Sequence, residues 1–318
     1  MLELHFINVG DGDAILIEDR NGGDVFRMLV DAGRRVPDAY PGSPRRTAAA
    51  YLREKEISRL DVLVVTHLHV DHYGGVADLL SEVDIGEVCS GFFPDGPGMR
   101  IPPEPEAVKT VRGMIDCVNE WAEITDGLRA AGVPLRAVSA SIPGLRLTER
   151  LTADLICPNE IVCALQGAVW RALLSGEQIP DDVKYLISKT RNPNALRLRL
   201  RYAGRRVELP ADCYAAVWEN EDALPCDILK VPHHGAPGAV SEKLLEKLRP
   251  RYAVISCEAA YSERKDRPSR RTAELLERHG VRYWFTDCFS ADWHAPTYWS
   301  SVDFTICDDG TILAPDGR

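Results

Sequence analysis

The sequence has no CxxC pair: its nine cysteines stand singly, at 89, 117, 157, 163, 213, 226, 257, 288 and 307. An odd, scattered set does not make a disulfide framework and reads as reduced thiols. No run of about 18 apolar residues occurs, so no membrane-spanning helix is expected. No basic start followed by an apolar run occurs either, because Leu2 to Ile7 already alternates like a strand. A cytoplasmic location is therefore expected. Repeats and low-complexity tracts are absent. Positive charge is in deficit, with a formal charge of −10, so the surface as a whole repels nucleic acid. A polyanionic substrate would need a local basic patch.

What is present is a chain of 318 residues, 45% hydrophobic, enough for a sizeable core and for a single domain with insertions over 1–318. Residues 2–9 and 13–18 read as strands around the Gly10-Asp11-Gly12 turn, and Phe26 to Val30 as a third. A helix is expected over 47–56. The buried strand Leu60 to Val65 then runs into Thr66-His67-Leu68-His69-Val70-Asp71-His72, a loop before Gly74-Gly75 and a helix from Val76. Residues 91–104 read as loop and 105–131 as helix. After a new strand near Leu135, an apolar helical stretch at 159–190 reads as an insertion. Leu196 to Tyr202 alternates Leu and Arg like a half-exposed strand. Strands are expected before Asp212, before His233, at 252–256 and at 283–286, with a helix at 271–279. The layout is α/β, with chemistry on the loops that follow strands.

His67-x-His69-x-Asp71-His72 places three imidazoles and a carboxylate within six positions. His67 and His69 share a face and can bind one ion, with Asp71 and His72 beside it for a second. Imidazole nitrogen and carboxylate oxygen suit zinc, manganese or iron. Asp212, just past a strand, can bridge ions about 3.5–4 Å apart. Of the adjacent His233 and His234, one can ligate metal and the other donate to a substrate oxygen.

These pieces resemble the metallo-β-lactamase-fold domain of competence DNA-uptake proteins and their relatives, among them choline-phosphate esterases. The matching segments are Asn8 to Ala14, Leu29 to Gly33, Thr66 to Gly75, Asn194 to Asp212 and Lys230 to Gly235. The resemblance implies an αββα sandwich with two divalent ions at one edge between its sheets, and zinc, or else manganese, is the expected metal. It also implies His67 and His69 on the first ion, Asp71, His72 and His234 on the second, Asp212 bridging, and His233 on substrate phosphate. Asp31 would orient a ligand histidine. This chain departs from the pattern in having no histidine from 73 to 232, Pro210-Ala211 where relatives have Thr-Gly, Ala236 where they have Ser, and Arg267-Pro268 where they have His-Pro. His294 could replace that histidine if 288–300 folds back.

Two divalent ions outweigh two carboxylates and a hydroxide, so the site favours an anionic substrate. Arg191, Arg197, Arg199 and Arg201, and a second group at Arg264, Lys265, Arg267, Arg270 and Arg271, read either as solvated faces or as an anion platform. The expected function is a two-metal phosphodiesterase or nuclease, with Asp71 and His233 at the chemistry. The alternatives are hydrolysis of another ester, thioester, lactone or lactam, or a catalytically weak metal-binding relative.

Overall fold

The computed structural model describes residues 1–36, 43–220, 224–258, 267–288 and 297–315. Arg264, Lys265 and His294 lie outside the described residues. The first half runs β1 (Leu2–Ile7), β2 (Ile15–Asn21), β3 (Asp24–Val30), α1 (Ala48–Glu54), β4 (Arg59–Leu60), β5 (Val62–Val65), α2 (Val70–Tyr73), α3 (Val76–Glu82), β6 (Asp84–Ile85), β7 (Val88–Ser90), α4 (Lys109–Ala130) and β8 (Leu135–Ala137). The second half runs β9 (Ile142–Arg146), β10 (Thr152–Ile156), α5 (Glu160–Leu174), α6 (Asp181–Ser188), β11 (Arg197–Tyr202), β12 (Arg205–Leu209), α7 (Ala215–Trp218), β13 (Ile228–Lys230), α8 (Glu242–Leu248), β14 (Tyr252–Ile255), α9 (Arg270–Arg278), β15 (Arg282–Phe285), β16 (Asp287–Cys288), β17 (Thr297–Tyr298), β18 (Ser301–Ile306) and β19 (Ile312–Leu313).

Two mixed sheets carry the fold, one ordered β19-β18-β1-β2-β3-β5-β7-β8 and the other β15-β14-β13-β12-β11-β10-β9. Period-2 patterning assigns each side chain its layer. Leu2, Leu4, Phe6, Ile17, Val64, Leu198, Leu200 and Phe304 fill the space between the sheets. Leu16, Leu29, Leu63 and Val65 point the other way, into a core shared with α1, α3 and α4. The outer face of the second sheet packs Leu229, Val231 and Ile255 against Trp218, Leu244 and Leu276 from the helices α7, α8 and α9. The layers are thus α, β, β, α.

Two expectations need correction. The β11 strand is not half-exposed, for Arg197 and Arg199 are both buried. Arg199 pairs with Glu208, Arg201 donates to Asp154 at 2.8 Å, and the Arg197 guanidinium lies 4.5 Å over the Trp218 ring. Internal carboxylates and an indole absorb those cations, so this strand is no anion platform. The ligand-rich segment is not all loop either, because Val70–Tyr73 winds into one helical turn with Asp71, His72 and Tyr73 buried.

The 159–190 stretch joins two antiparallel neighbours, β10 and β11, yet does not stay with their sheet. Val169, Trp170, Leu173, Leu174 and Ile187 belong to the core of the first half, beside Phe92 and Trp121. Asn159 caps α5 by accepting from the Val162 N–H at 3.1 Å. The insertion therefore crosses from one layer to the other over the strand ends that carry the histidines.

Candidate metal centre

The apolar run of β5 ends just before Thr66, and the Asp31 carboxylate fixes the turn from there to His72. It accepts from the Thr66 N–H and Oγ1–H, each at 2.8 Å, and from His72 Nδ1 at 2.7 Å. Backbone bonds from Asp13 N to Asp71 O at 3.1 Å and from Ala32 N to His72 O at 2.7 Å lock the turn against its neighbours. The fit is too close for side chains at Gly12 and Gly75. A Cβ there would stand 2.5 Å from Asp71 O and 2.3 Å from Ala32 O, respectively.

The second sheet supplies the rest. The strands β12 and β13 pair in parallel, Glu208 opposite Leu229, so their carboxyl ends deliver Asp212 and the His233-His234 pair side by side. Ala211 has φ 50°, a left-handed conformation that costs a non-glycine residue about 1–2 kcal/mol. This gives a physical reason for the glycine of the resembling proteins. His233 and His234 are left-handed too, at φ 45° and 54°. They are not the extended pair whose side chains would point to opposite sides. The tight turn brings both rings to one carboxylate, with His233 Nε2 3.6 Å from Asp212 Oδ2 and His234 Nε2 3.6 Å from Asp212 Oδ1. Strain of this kind concentrates at functional sites.

The ring nitrogens can be assigned from their partners. His234 Nδ1 faces the Ser256 carbonyl at 3.0 Å and must donate, which leaves Nε2 a bare lone pair. His72 Nδ1 donates to Asp31, which bares its Nε2. Thr66 Oγ1 gives its proton to Asp31 and so accepts from His67 Nδ1 at 3.1 Å, baring His67 Nε2. His72 Nε2, His234 Nε2 and Asp212 Oδ1 are buried without a hydrogen-bond partner, a costly arrangement unless a cation sits among them. The separations fit one. His72 Nε2 to Asp212 Oδ1 is 3.4 Å, His234 Nε2 to Asp71 Oδ2 is 3.4 Å and His67 Nε2 to Asp212 Oδ2 is 3.7 Å. These are long for hydrogen bonds and close to the edge, about 3.4 Å, of a tetrahedron of N and O ligands around zinc. His67 Nε2 and His69 Nδ1 stand 2.9 Å apart. Two ligand sets result, His67, His69 and Asp212 on one side and Asp71, His72 and His234 on the other.

Electrostatics divides the histidines the same way. Burial, with the neighbouring His72 and His69, holds His67 well below its ordinary value. Burial and Arg191 push His69 down to about 3. Both rings are thus neutral, the form that ligates. Burial opposes charge on His72 and His234 as well, but Asp212 and Asp31 raise His72, and Asp212 and Asp71 raise His234. The carboxylates at this edge call for positive charge. Asp13, which sequence reading placed only in a turn motif, adds to the demand with its Oδ1 3.7 Å from His234 Nδ1. It pairs with Lys230, whose side chain is fully buried.

His233 is held differently. Asn192 Nδ2 and Arg267 Nη1 each stand 3.2 Å from its Nε2, and the Tyr214 ring packs edge-on against it at 4.8 Å. Both neighbours are donors, so Nε2 accepts. Burial, then His234 and Arg267, lowers His233 to about 4. Arg267 also lies 3.6 Å from Asp11 Oδ1. The residue that stands in place of a histidine thus brings a permanent cation to the site. Of the other described cations in the second basic group, Arg270 pairs with Glu274 at 2.9 Å. Sequence reasoning did not single out Asn192, Asp13 or Lys230. The only signals were Asp13 beside the Gly10-Asp11-Gly12 turn and a lysine in an otherwise apolar strand.

Residues 7–133 match the family described as Metallo-beta-lactamase superfamily. ComE operon protein 3 of Bacillus subtilis (strain 168) is 23% identical over 298 residues, which cover 90% of this chain and 32% of that protein. The chain therefore spans about a third of the length of that curated relative. Among solved structures, the metallo-β-lactamase fold protein YhfI from Bacillus subtilis aligns over 90% of this chain and 96% of its own at 8% identity and TM-score 0.44. Zn(2+)-bound PqqB from Methylobacterium extorquens aligns over 90% and 98% at 9% identity and TM-score 0.42. Helices layered on the outer faces of two packed mixed sheets are the metallo-β-lactamase fold, and the family match covers the segment that holds His67 to His72.

Proposed function

We propose that the protein is a metal-dependent hydrolase and, more narrowly, a two-metal phosphodiesterase. The observation that carries the narrower reading is the convergence of Asn192, Arg267 and His233 beside Asp212. An amide and a guanidinium aimed at one point match the non-bridging oxygens of a phosphodiester, which a neutral lactone or thioester lacks. When bound, the ions would polarise a phosphoryl oxygen and supply a nucleophile at neutral pH. His67, His69 and Asp212 would hold one ion, and Asp71, His72, His234 and Asp212 the other. Asp31 and the Ser256 carbonyl orient His72 and His234 so that each presents its Nε2. An anion arriving beside His233 favours its charged form, so the imidazole can then donate to a phosphoryl oxygen while Arg267 and Asn192 hold the others.

The formal charge of −10 favours a small phosphodiester over a long nucleic acid. The test is a comparison of bis(p-nitrophenyl) phosphate with a lactone, a thioester and single-stranded DNA, on protein purified without chelator. The reading expects turnover of the phosphodiester above all the others. Faster hydrolysis of the lactone or thioester would overturn it.

A further inference from the structure

The insertion forms a roof beside the metal centre. Between α5 and the His67 side of the site lies a partly open, narrow cleft of ≈ 410 Å³, counting space shared with solvent, in which few positions are clear enough for a water-sized group. Thr66 and His67 line it together with Trp170, Arg191 and Asn194. Trp170, Arg191 and Asn194 are 3%, 8% and 8% exposed. Each has a buried donor with no partner, namely Trp170 Nε1, Arg191 Nε and Asn194 Nδ2. No carboxylate lines the cleft, and among the described residues none lies within ion-pair distance of Arg191. Its Nη1 reaches the carbonyls of Leu68 and Gly113, at 3.2 and 3.4 Å, and the guanidinium also faces the Cys117 thiol, which is no counter-ion.

A buried guanidinium without a counter-ion and two further unpaired N–H groups are expensive to maintain in a folded protein. They share one chemistry, donation to an anionic oxygen. The remaining walls mix apolar Phe92, Val138 and Leu196 with Ser90, Cys163 and Gln166, and Gln166 Nε2 already donates to Thr190 Oγ1 at 2.8 Å. We propose that this cleft is a specificity subsite for a carboxylate or similar oxyanion carried by the substrate, seated on Arg191, Asn194 and Trp170 while the reacting group lies at the metal centre. The proposal rests on the hydrolase reading above for the second half of that statement only. Because Trp170 comes from the insertion, the inserted helices would select the substrate and the strand ends would cleave it.

The test uses zinc-loaded protein and ligands that cannot be hydrolysed, so it does not depend on turnover. Calorimetric titration compares 3-phosphonopropionate with propylphosphonate, which lacks the carboxylate. The proposal expects the carboxylate to tighten binding about tenfold or more, as a charge-assisted pair of about 1.5–3 kcal/mol would. Trp170→Phe, which keeps the ring and removes the N–H, should lose part of the advantage, and Arg191→Met most of it, with bound zinc unchanged in both. Equal affinities in the unaltered protein overturn the subsite. So does an advantage that survives in both variants, because the carboxylate would then be chelating the ion. An advantage that the variants remove, in a protein that fails to cleave bis(p-nitrophenyl) phosphate, keeps the subsite and overturns the phosphodiesterase reading. Binding of neither ligand overturns both.

Discussion

His233 and His234 are neighbours in the chain, yet they address different oxygens of Asp212. The nitrogen of His234 is bare and its ring is fully buried, whereas that of His233 already accepts from Asn192 and Arg267. His233→Ala should therefore lower turnover by roughly 10²–10⁴-fold with bound metal unchanged. His234→Ala should lose an ion along with activity. Metal analysis of both variants checks this, and the opposite pattern of losses would move His233 into the ligand set. Lys230 makes a second case, because its buried ammonium pairs with Asp13 at the edge of the site. Lys230→Met should destabilise the fold by about 3–5 kcal/mol in urea denaturation, since it strands a buried charge. Adding Asp13→Asn should recover a good part of that, and a single variant as stable as the parent would show that the pair holds nothing. The His67 to His72 cluster was legible in the sequence because its spacing is local. Arg267 was marked by its place in the basic group, but its meeting with Asn192 and the place of Asp13 were not legible, because strand pairing and loop packing bring these residues to one edge from positions far apart in the chain.

At the level of elements, β1 is clamped between β2 and β18 by polar pairs as well as by its apolar face. His5 sits opposite Asp303, with Nδ1 2.9 Å from its Oδ1, and its Nε2 is 3.5 Å from Glu18. Burial alone would lower the His5 pKa, but Asp303 and Glu18 overcome it and raise it from 6.5 to about 9. A folded-state value above the unfolded one adds stability that is complete below the unfolded pKa and lost as pH rises through the folded one. The stability gap between the parent and His5→Gln should thus be largest below pH 6.5 and close as pH approaches about 9. Denaturant titrations across that range measure it, and a gap independent of pH would contradict the assignment. Period and capping made most elements readable, with α4 found at Lys109–Ala130 inside the expected 105–131. The period of β11 was right, but solvent exposure was inferred from arginine alone. What covers that face is Glu208, Asp154 and Trp218, whose positions depend on tertiary packing. The insertion read as helical for the same local reasons. Its crossing to the other layer could not be read, because apolar spacing marks a buried face without naming the surface that buries it.

On the scale of the whole molecule, the candidate ligands divide between the sheets, four from the segment after β5 and two from the ends of β12 and β13. Ions bound there would tie the two halves across one edge of the sandwich and offset its buried carboxylates. A ligand that binds only the folded state stabilises it by mass action, about 4 kcal/mol at a thousandfold excess over its dissociation constant. Chelation should accordingly lower Tm by several degrees and added zinc should restore it. An unchanged Tm in protein shown to have lost its metal would mean that the edge is held by the protein alone.

The central claim, two ions shared through Asp212, is tested most directly by elemental analysis of the protein purified without chelator and reconstituted with zinc or manganese. The geometry predicts close to two ions per chain, one for each ligand set. Less than half an ion per chain after reconstitution would contradict it.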